Sequence, residues 1–153
     1  MSYPALLISP RGRLCKVAIH VRLTSRSEYA LLALVFLARH EGDGYVSVQT
    51  IAAAQGIPAR FLEQILLALK RGRYVRSVKG ATGGYRLARD AAKIHLAEII
   101  RLIDGPLAPT DSASKHFYGS TPVEKEKKLL RIFKEIRDFV SKKLEGTSLA
   151  DVM

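Results

Sequence analysis

The chain has 153 residues, enough for one domain with a single hydrophobic core and a short extension. Hydrophobic residues make up 48% of the chain, which excludes a disordered basic tail, and no apolar run is long enough to span a membrane. The single cysteine, Cys15, excludes an internal disulfide, a cysteine zinc site and an all-cysteine iron–sulfur cluster within one chain, and it suits a cytoplasmic location. The formal net charge of +11 favours a polyanionic partner, with nucleic acid ahead of a membrane surface.

The opening segment, residues 1–20, is predicted to be a poorly ordered extension. It has no sustained period and contains Pro4, Pro10 and Gly12. Its apolar run is too short for a signal peptide, and the basic residues follow that run instead of preceding it. Cys15 lies in this extension without a fixed partner for its thiolate, so a redox-sensing role for Cys15 is not expected.

The first predicted helix begins at Thr24 or Ser25, either of which can cap it, and ends near Gly42 and Gly44. Its apolar face is predicted from residues that recur at helical spacing: Tyr29, Leu32, Ala33, Phe36, Leu37 and His40. We expect this face to line the core.

Two further helices are predicted around a tight turn. Ser47 can cap the first of them, and Gly56 and Pro58 mark the turn, because glycine accepts a positive φ and proline suits the first helical position. The third helix covers residues 59–71, and its apolar stripe is Phe61, Leu62, Ile65, Leu66 and Leu69. Arg60, Gln64 and Lys70 lie off that stripe. Two short helices around such a turn are typical of a helix-turn-helix.

A basic β-hairpin is predicted next. Residues 74–78 alternate as a strand, residues 84–87 can form the return strand, and a glycine-rich loop joins them. A hairpin in this place is a wing, able to reach the minor groove or the phosphates of DNA. A nucleotide-binding loop is the alternative, but this loop joins two strands and does not open a helix. Residues 21–93 are therefore predicted to be a winged helix-turn-helix DNA-binding domain.

Residues 94–153 are predicted to be a linker helix, a loop and a dimerisation helix. The short helix covers residues 94–103, the loop is rich in Pro, Ser and Thr, and residues 123–144 form the long helix. Its apolar stripe, the predicted dimer interface, is Leu129, Ile132, Phe133, Ile136, Val140 and Leu144. A helix this long most simply buries its stripe against a second copy, and packing back on its own domain is the alternative. Residues 147–152 could form a last turn. The predicted fold class is thus mainly α, with a two-stranded wing.

The predicted contacts with double-stranded DNA fall in three places. Polar residues of the third helix face the major groove, where Arg pairs with guanine and Gln with adenine, although Arg60 could instead contact a phosphate. The first turns of the first two helices suit phosphates, and the wing suits phosphates or the minor groove. The full set is Thr24, Ser25, Arg26, Tyr29, Gln49, Ala59, Arg60, Gln64, Arg71, Arg73, Arg76, Lys79, Gly83, Gly84 and Tyr85. Packing beneath the wing is the alternative for Tyr85.

No catalytic set is visible, so we expect neither an enzyme nor a bound metal or cofactor. Asp104 stands alone beside its turn, and the histidines are not at metal-binding spacing: His20, His40, His95 and His116. Two other binding functions stay open. One is a protein-interaction module that binds a metabolic enzyme through the loop and long helix, with only weak, non-specific DNA contact. The other is an RNA-binding winged helix, which is disfavoured because the basic stretch offers few aromatic side chains for stacking.

Five segments resemble the Rrf2 family of bacterial winged helix-turn-helix regulators. They are VRLT with YA and AL in residues 21–34, IPARFLEQIL at 57–66, VRSVKGATGGYRL at 75–87, IDGPLAP at 103–109 and TSLAD at 147–151. The resemblance implies a homodimer that binds a palindromic operator, acting as a repressor, with an effector or a partner enzyme as its signal.

The resemblance also bears on a cofactor. Family members with an iron–sulfur cluster hold it through three cysteines in the loop between the last two helices. In this chain that loop, residues 105–124, contains Ser112, Ser114 and Ser120 and no cysteine. Neutral hydroxyls do not replace thiolates as iron ligands, and a lone His116 does not make a site. We therefore expect no cluster.

The start of the chain departs from the family pattern. Members usually begin at the position of Val21, and a valine codon can start bacterial translation. We expect the native chain to start at residue 21 with Met. The intact mass of protein purified from its own cells tests this, and a mass for 153 residues would contradict it.

Overall fold

The computed structural model describes residues 23–153, so the predicted extension and Cys15 lie outside the described residues. The described chain forms five α-helices and one two-stranded sheet. In chain order these are α1 (Ser25–Arg39), α2 (Val48–Gln55), α3 (Ala59–Arg71), β1 (Val75–Val78), β2 (Gly84–Leu87), α4 (Leu96–Ile103) and α5 (Lys127–Glu145). The prediction of a mainly α fold with a two-stranded wing is confirmed.

Capping residues set the starts of the first two helices. The Thr24 hydroxyl accepts a hydrogen bond from the backbone N–H of Ser27, and the Ser47 hydroxyl accepts one from that of Thr50. Each contact satisfies a backbone donor that the first helical turn leaves free. Gly56 ends α2 with φ of +63°, which opens the turn into α3. The helix-turn-helix thus has the capping residues and the glycine turn that the sequence predicts.

The wing is an antiparallel hairpin with a third partner. Arg76 pairs with Arg86 across the two strands, and Val46 forms a further antiparallel bridge to Tyr85. A Cβ atom at Gly84 would lie far inside contact distance of the Val46 carbonyl oxygen. The wing can join the residues before α2 only because position 84 has no side chain.

One hydrophobic core unites α1 to α4, the wing and the tail. Leu34 of α1, Leu66 of α3, Ile99 of α4 and Leu149 of the tail are all fully buried in one cluster. The core therefore takes residues from both predicted regions, 21–93 and 94–153. The boundary between them separates proposed roles within one folded unit.

Three predictions about the core in the first half of the chain are wrong in detail. Leu32 and Phe61, predicted on apolar stripes, are 36% and 38% exposed. Leu34, which is not on the predicted stripe, is fully buried, because the buried arc of α1 is wider than the predicted stripe. Strand β1 starts at Val75, and Tyr74 and Val75 are both buried, so the alternation of buried and exposed residues begins at Val75 and not at Tyr74.

The second half differs at its helix boundaries. Helix α4 starts at Leu96, two residues later than predicted, and α5 starts at Lys127 because Pro122–Lys125 form a 3₁₀ turn before it. The predicted turn of the tail is present, and its packing was not predicted. Leu149 is buried, its backbone N–H donates to the Ile94 carbonyl at 2.9 Å, and His95 bridges to Ser148.

Candidate nucleic-acid interface

The N-terminal half of α3 presents polar side chains to solvent. Arg60, Glu63 and Gln64 are all exposed, whereas Leu62 and Ile65 on the other side are fully buried. Ala59 is half-buried and packs against the core. The two predicted base-contacting side chains therefore lie together on one free face. Glu63 lies beside them and was not predicted as a site residue, although a carboxylate can accept from the amino group of cytosine.

The first turn of α1 presents Ser25 and Arg26, both exposed. The Thr24 hydroxyl is not free, because its Oγ1 donates to the Asp104 carboxylate at 2.5 Å. Asp104 also accepts from the Thr24 N–H at 3.1 Å and from the Ser27 hydroxyl at 2.5 Å. The sequence led us to expect that Asp104 stands alone. It has partners, and they come from the start of the described chain.

Two further predicted residues flank α3. Gln49 is exposed in the first turn of α2. Tyr29 is half-buried, and its ring meets that of Phe61 edge-on with centroids 5.8 Å apart. Tyr29 therefore helps to position α3 against α1, and this role does not depend on the partner of its hydroxyl.

The basic residues at the end of α3 and in the wing are exposed: Arg71, Arg73, Arg76 and Lys79. Arg73 has φ of +61°, the one positive φ of a residue other than glycine in the described chain. The left-handed conformation costs an L-residue about 1–2 kcal/mol. The Arg76 guanidinium donates to the Ala88 carbonyl at 3.3 Å.

The wing glycines are required by the protein's own backbone. A Cβ atom at Gly83 would overlap the Val78 carbonyl oxygen, much as one at Gly84 would overlap Val46. We predicted that these glycines admit a close approach of DNA. The crowding by the protein's own backbone is a simpler explanation for glycine at both positions. Gly83 lets the hairpin close on itself, and Gly84 lets it pair with the residues before α2.

Tyr85 lies beneath the wing, half-buried against the core, and its backbone exchanges two hydrogen bonds with Val46 at 2.8 and 2.9 Å. Burial is the main cause that raises the pKa of the Tyr85 phenol above 10.0, and the charge of Glu63 raises it further. This placement matches the packing alternative, and a contact between Tyr85 and DNA stays a prediction.

The predicted stripe of α5 is half-buried along one edge and exposed along the other. Phe133, Val140 and Leu144 are half-buried, whereas Leu129, Ile132 and Ile136 are 42%, 50% and 39% exposed. Phe139, which was not predicted, is the most exposed apolar side chain of this helix at 77%. The helix packs one edge on α4 and the preceding loop and leaves an apolar strip open.

The loop before α5 is organised by hydroxyl groups. Ser112 is buried and shares a hydrogen bond of 2.6 Å with Thr121. Ser114 accepts from the Phe117 N–H at 3.0 Å, and Ser120 donates to Glu124 at 2.7 Å. The hydrogen bond from Tyr118 is the main cause that lowers the pKa of Glu124 below 4.5. Within residues 23–153, no group of three His, Cys, Asp or Glu is placed to hold a metal ion.

No helix among residues 23–153 is both long enough and apolar enough to cross a membrane.

Comparison with known proteins gives a consistent result. The family model Rrf2, described as an iron-dependent transcriptional regulator, matches residues 23–153. A candidate HTH-type transcriptional regulator of Mycobacterium tuberculosis is 39% identical over 133 residues, which cover 86% of this chain and 81% of the relative.

Two solved structures share the fold. CymR, the global cysteine regulator of Bacillus subtilis, superposes with a TM-score of 0.68 at 29% identity, covering 86% of this chain and 95% of the other. IscR of T. potens superposes with a TM-score of 0.67 at 30% identity, covering 88% of each chain.

The donor atoms of the loop do not fit the iron that the family description implies. The three serines that stand there offer neutral hydroxyls, and those hydroxyls are already hydrogen-bonded to Thr121, Phe117 and Glu124. Iron–sulfur clusters need thiolates or imidazoles, and His116 is the one imidazole in this segment. The loop is therefore closed by hydrogen bonds among its own residues.

Proposed function

The chain belongs to the Rrf2 family of helix-turn-helix transcriptional regulators, and on that premise we propose that it binds a specific DNA sequence. It does so as a homodimer on a palindromic operator, without an iron–sulfur cluster, and acts as a cytoplasmic repressor. The exposed polar face of α3 carries this proposal. Arg60 and Gln64 project there from the helix that follows the turn, and both side chains are among those that read base edges.

The surroundings of that face support the proposal. Arg26 lies in the first turn of α1, and Lys79 begins the wing loop, and both are exposed. A basic side chain beside a recognition helix neutralises phosphates and gives affinity that depends on salt.

The homodimer is supported by the open strip of α5. Leu129, Ile132 and Phe139 lie on one side of the helix and expose a large apolar area to water. A second copy of the same strip would cover it. Analytical ultracentrifugation tests this, and a monomer at micromolar concentration would contradict it.

Operation without a cluster is supported by the closed loop and by the placement of its three serines. Protein purified in air and treated with a chelator should therefore keep its full DNA affinity.

Selection from a random duplex DNA pool, with protein purified in air and no added cofactor, is the direct test. We expect enrichment of a palindrome with half-sites about one helical turn apart. Arg60→Ala and Gln64→Ala should each relax the sequence preference at one position, with a loss of about 1–3 kcal/mol. Arg39→Ala is the matched control, because Arg39 is exposed at the far end of α1. Salt-sensitive binding with no enriched sequence would contradict specific recognition.

A protein-interaction module is the second candidate function, and exposed aromatic side chains favour it. Phe117 and Tyr118 of the loop are 49% and 66% exposed, in addition to Phe139 on α5. Such side chains are common at protein interfaces. This function moves to first place if the selection enriches nothing and Lys79→Ala leaves both affinity and its salt dependence unchanged.

A further inference from the structure

Two arginines face each other on the outer side of the wing. Arg76 of β1 and Arg86 of β2 are direct partners in the antiparallel register, so their side chains leave the same face. Like charges in directly opposed positions destabilise a hairpin. Neither arginine forms an ion pair with any residue between 23 and 153. The wing therefore carries an electrostatic cost that its own described residues do not relieve.

A polar cleft of about 280 Å³ opens beside this pair, at the base of the wing. Arg76, Arg86 and Arg89 line it together with Glu41 and Asp90. The volume suits a small molecule, and the lining is polar instead of apolar.

Arg86 is held in place with one donor unused. Its guanidinium carbon lies 4.9 Å from the centroid of the Tyr45 ring, a cation–π contact that helps to hold the group. Its Nε is buried and has no hydrogen-bond partner. A buried donor without an acceptor costs about 1–3 kcal/mol, so Arg86 carries an unmet hydrogen-bonding demand beside the cleft.

Of the three other charged residues of the cleft, Arg89 and Asp90 have partners elsewhere and Glu41 does not. Arg89 lies 3.6 Å from Glu98 and stacks on Tyr74, with 4.5 Å to the ring centroid. One carboxylate oxygen of Asp90 accepts from the Ala92 N–H at 2.8 Å. Glu41 is exposed and forms no ion pair in the described part of the chain. Arg76 and Arg86 are left as two arginines without an ion pair, and Glu41 is the one carboxylate of the lining without a partner in the described residues.

The cleft lies away from the tip of the wing, although Arg76 itself belongs to the predicted set of DNA contacts. Helix α3 runs for 13 residues, about 20 Å, from Arg60 towards the wing. The chain then turns back, and Lys70 near the end of α3 donates to Ser77 of β1 at 2.7 Å. The wing tip follows β1, whereas Arg89 comes after β2, at the opposite end of the hairpin from the tip.

We propose that this cleft binds the oxyanion group, phosphate or carboxylate, of a free small molecule, between Arg76 and Arg86. Two guanidinium groups on one face can hold such a group through charge-assisted, paired hydrogen bonds. Binding there bridges β1 and β2 directly, so the ligand stiffens the wing. The site is an effector site, a role that rests on the proposed DNA binding, and Arg76 is the residue that it shares with the predicted DNA contacts.

The test uses inorganic pyrophosphate as the probe, titrated into the DNA-free protein by calorimetry at constant ionic strength. We expect saturable binding to the wild type and at least a tenfold weaker affinity for Arg76→Gln and for Arg86→Gln. Arg131→Gln is the control, because Arg131 is an 81% exposed arginine of α5 far along the chain from the cleft. Arg76→Gln keeps the test valid if Arg86→Gln fails to fold, since Arg76 has only one hydrogen bond, to Ala88. The absence of saturable binding, or equal affinity in all four proteins, would overturn the proposal.

A second measurement separates a free ligand from a DNA phosphate. Phosphorus NMR of bound pyrophosphate is recorded with and without a saturating duplex. We expect the pyrophosphate to stay bound beside the DNA. Complete release of the pyrophosphate by the duplex would overturn the proposal and assign the two arginines to the DNA backbone.

Discussion

Ser27 and Asp104 lie 77 residues apart in the chain, and the Ser27 hydroxyl donates a hydrogen bond of 2.5 Å to the Asp104 carboxylate. Ser27 is fully buried, and Thr24 adds two more hydrogen bonds to the same carboxylate. The start of α1, which presents Ser25 and Arg26, is thereby tied to the end of α4. The loop that leads to α5 begins at the next residue.

Asp104→Ala should lower the free energy of unfolding by about 3 kcal/mol. The change removes three hydrogen bonds to a charged acceptor and leaves the buried Ser27 hydroxyl with a weaker partner. Urea unfolding followed by circular dichroism measures the effect. Asp43→Ala is the control, because Asp43 is an exposed carboxylate. Equal stability of the two variants would mean that the Asp104 contacts contribute nothing.

Arg73→Gly should stabilise the fold by about 0.5–1 kcal/mol, because glycine adopts the φ of +61° found there without the steric cost of a side chain. If Arg73 also contacts a phosphate, the same change lowers the salt dependence of DNA binding by about one unit of slope.

Arg71→Gly serves as the comparison for Arg73→Gly. Arg71 is also exposed and basic but ends α3 in a helical conformation, so its replacement by glycine should destabilise by up to about 1 kcal/mol. The same sign of stability change in both variants would contradict this explanation of Arg73.

Gly84→Ala should destabilise by about 1–3 kcal/mol, since the new methyl group would overlap the Val46 backbone and push the wing from the residues before α2. Thermal unfolding measures the loss. Gly42→Ala should be nearly neutral, because a Cβ atom there meets nothing within 4 Å. A Gly84→Ala variant that keeps its stability and loses only DNA affinity would support the close approach of DNA instead.

Leu149→Ala should cost about 2–5 kcal/mol, the usual range for truncating a fully buried leucine. Val152→Ala, three residues later and 41% exposed, should cost less than about 0.5 kcal/mol. Denaturant unfolding of both variants checks the difference. Similar small losses would show that the tail adds little to the core.

Acid should weaken the attachment of the tail. Two hydrogen bonds from Ser148 hold the pKa of Asp151 below 3.8 in the folded protein, and the bond from the backbone N–H has a larger effect than the bond from the hydroxyl. A depressed pKa contributes stability above the unfolded value, and that contribution disappears as the pH falls below 3.8 through the folded value. Carboxyl NMR titration should give a midpoint under 3.8 for Asp151, and a midpoint at or above it would contradict the hydrogen bonds.

Local signals predicted the helix-turn-helix well. The limits of α3, Ala59–Arg71, agree with the prediction, because Pro58 and Gly72 bracket a strongly amphipathic segment. Thr24 and Ser47 cap the helices assigned to them. Phe61 was misplaced because spacing identifies the direction of an apolar face and does not show where its edge meets solvent.

Contacts between distant segments could not be predicted. Nothing near Asp104 in the sequence indicates Thr24, 80 residues away, as its partner. Arg86 is an intermediate case, because pairing the two predicted strands from their ends would have placed it opposite Arg76. The membership of the DNA-contact set and of the α5 dimer stripe stays a prediction.

The burial of Leu149 among residues of α1, α3 and α4 has a consequence for synthesis. While Leu149 is still inside the ribosomal exit tunnel, the helix-turn-helix has emerged but its core lacks that leucine. The nascent chain therefore reaches its full stability only after Leu149 has left the tunnel. A ribosome that stalls inside α5 would present an incompletely packed helix-turn-helix to chaperones and proteases before it could compete for an operator.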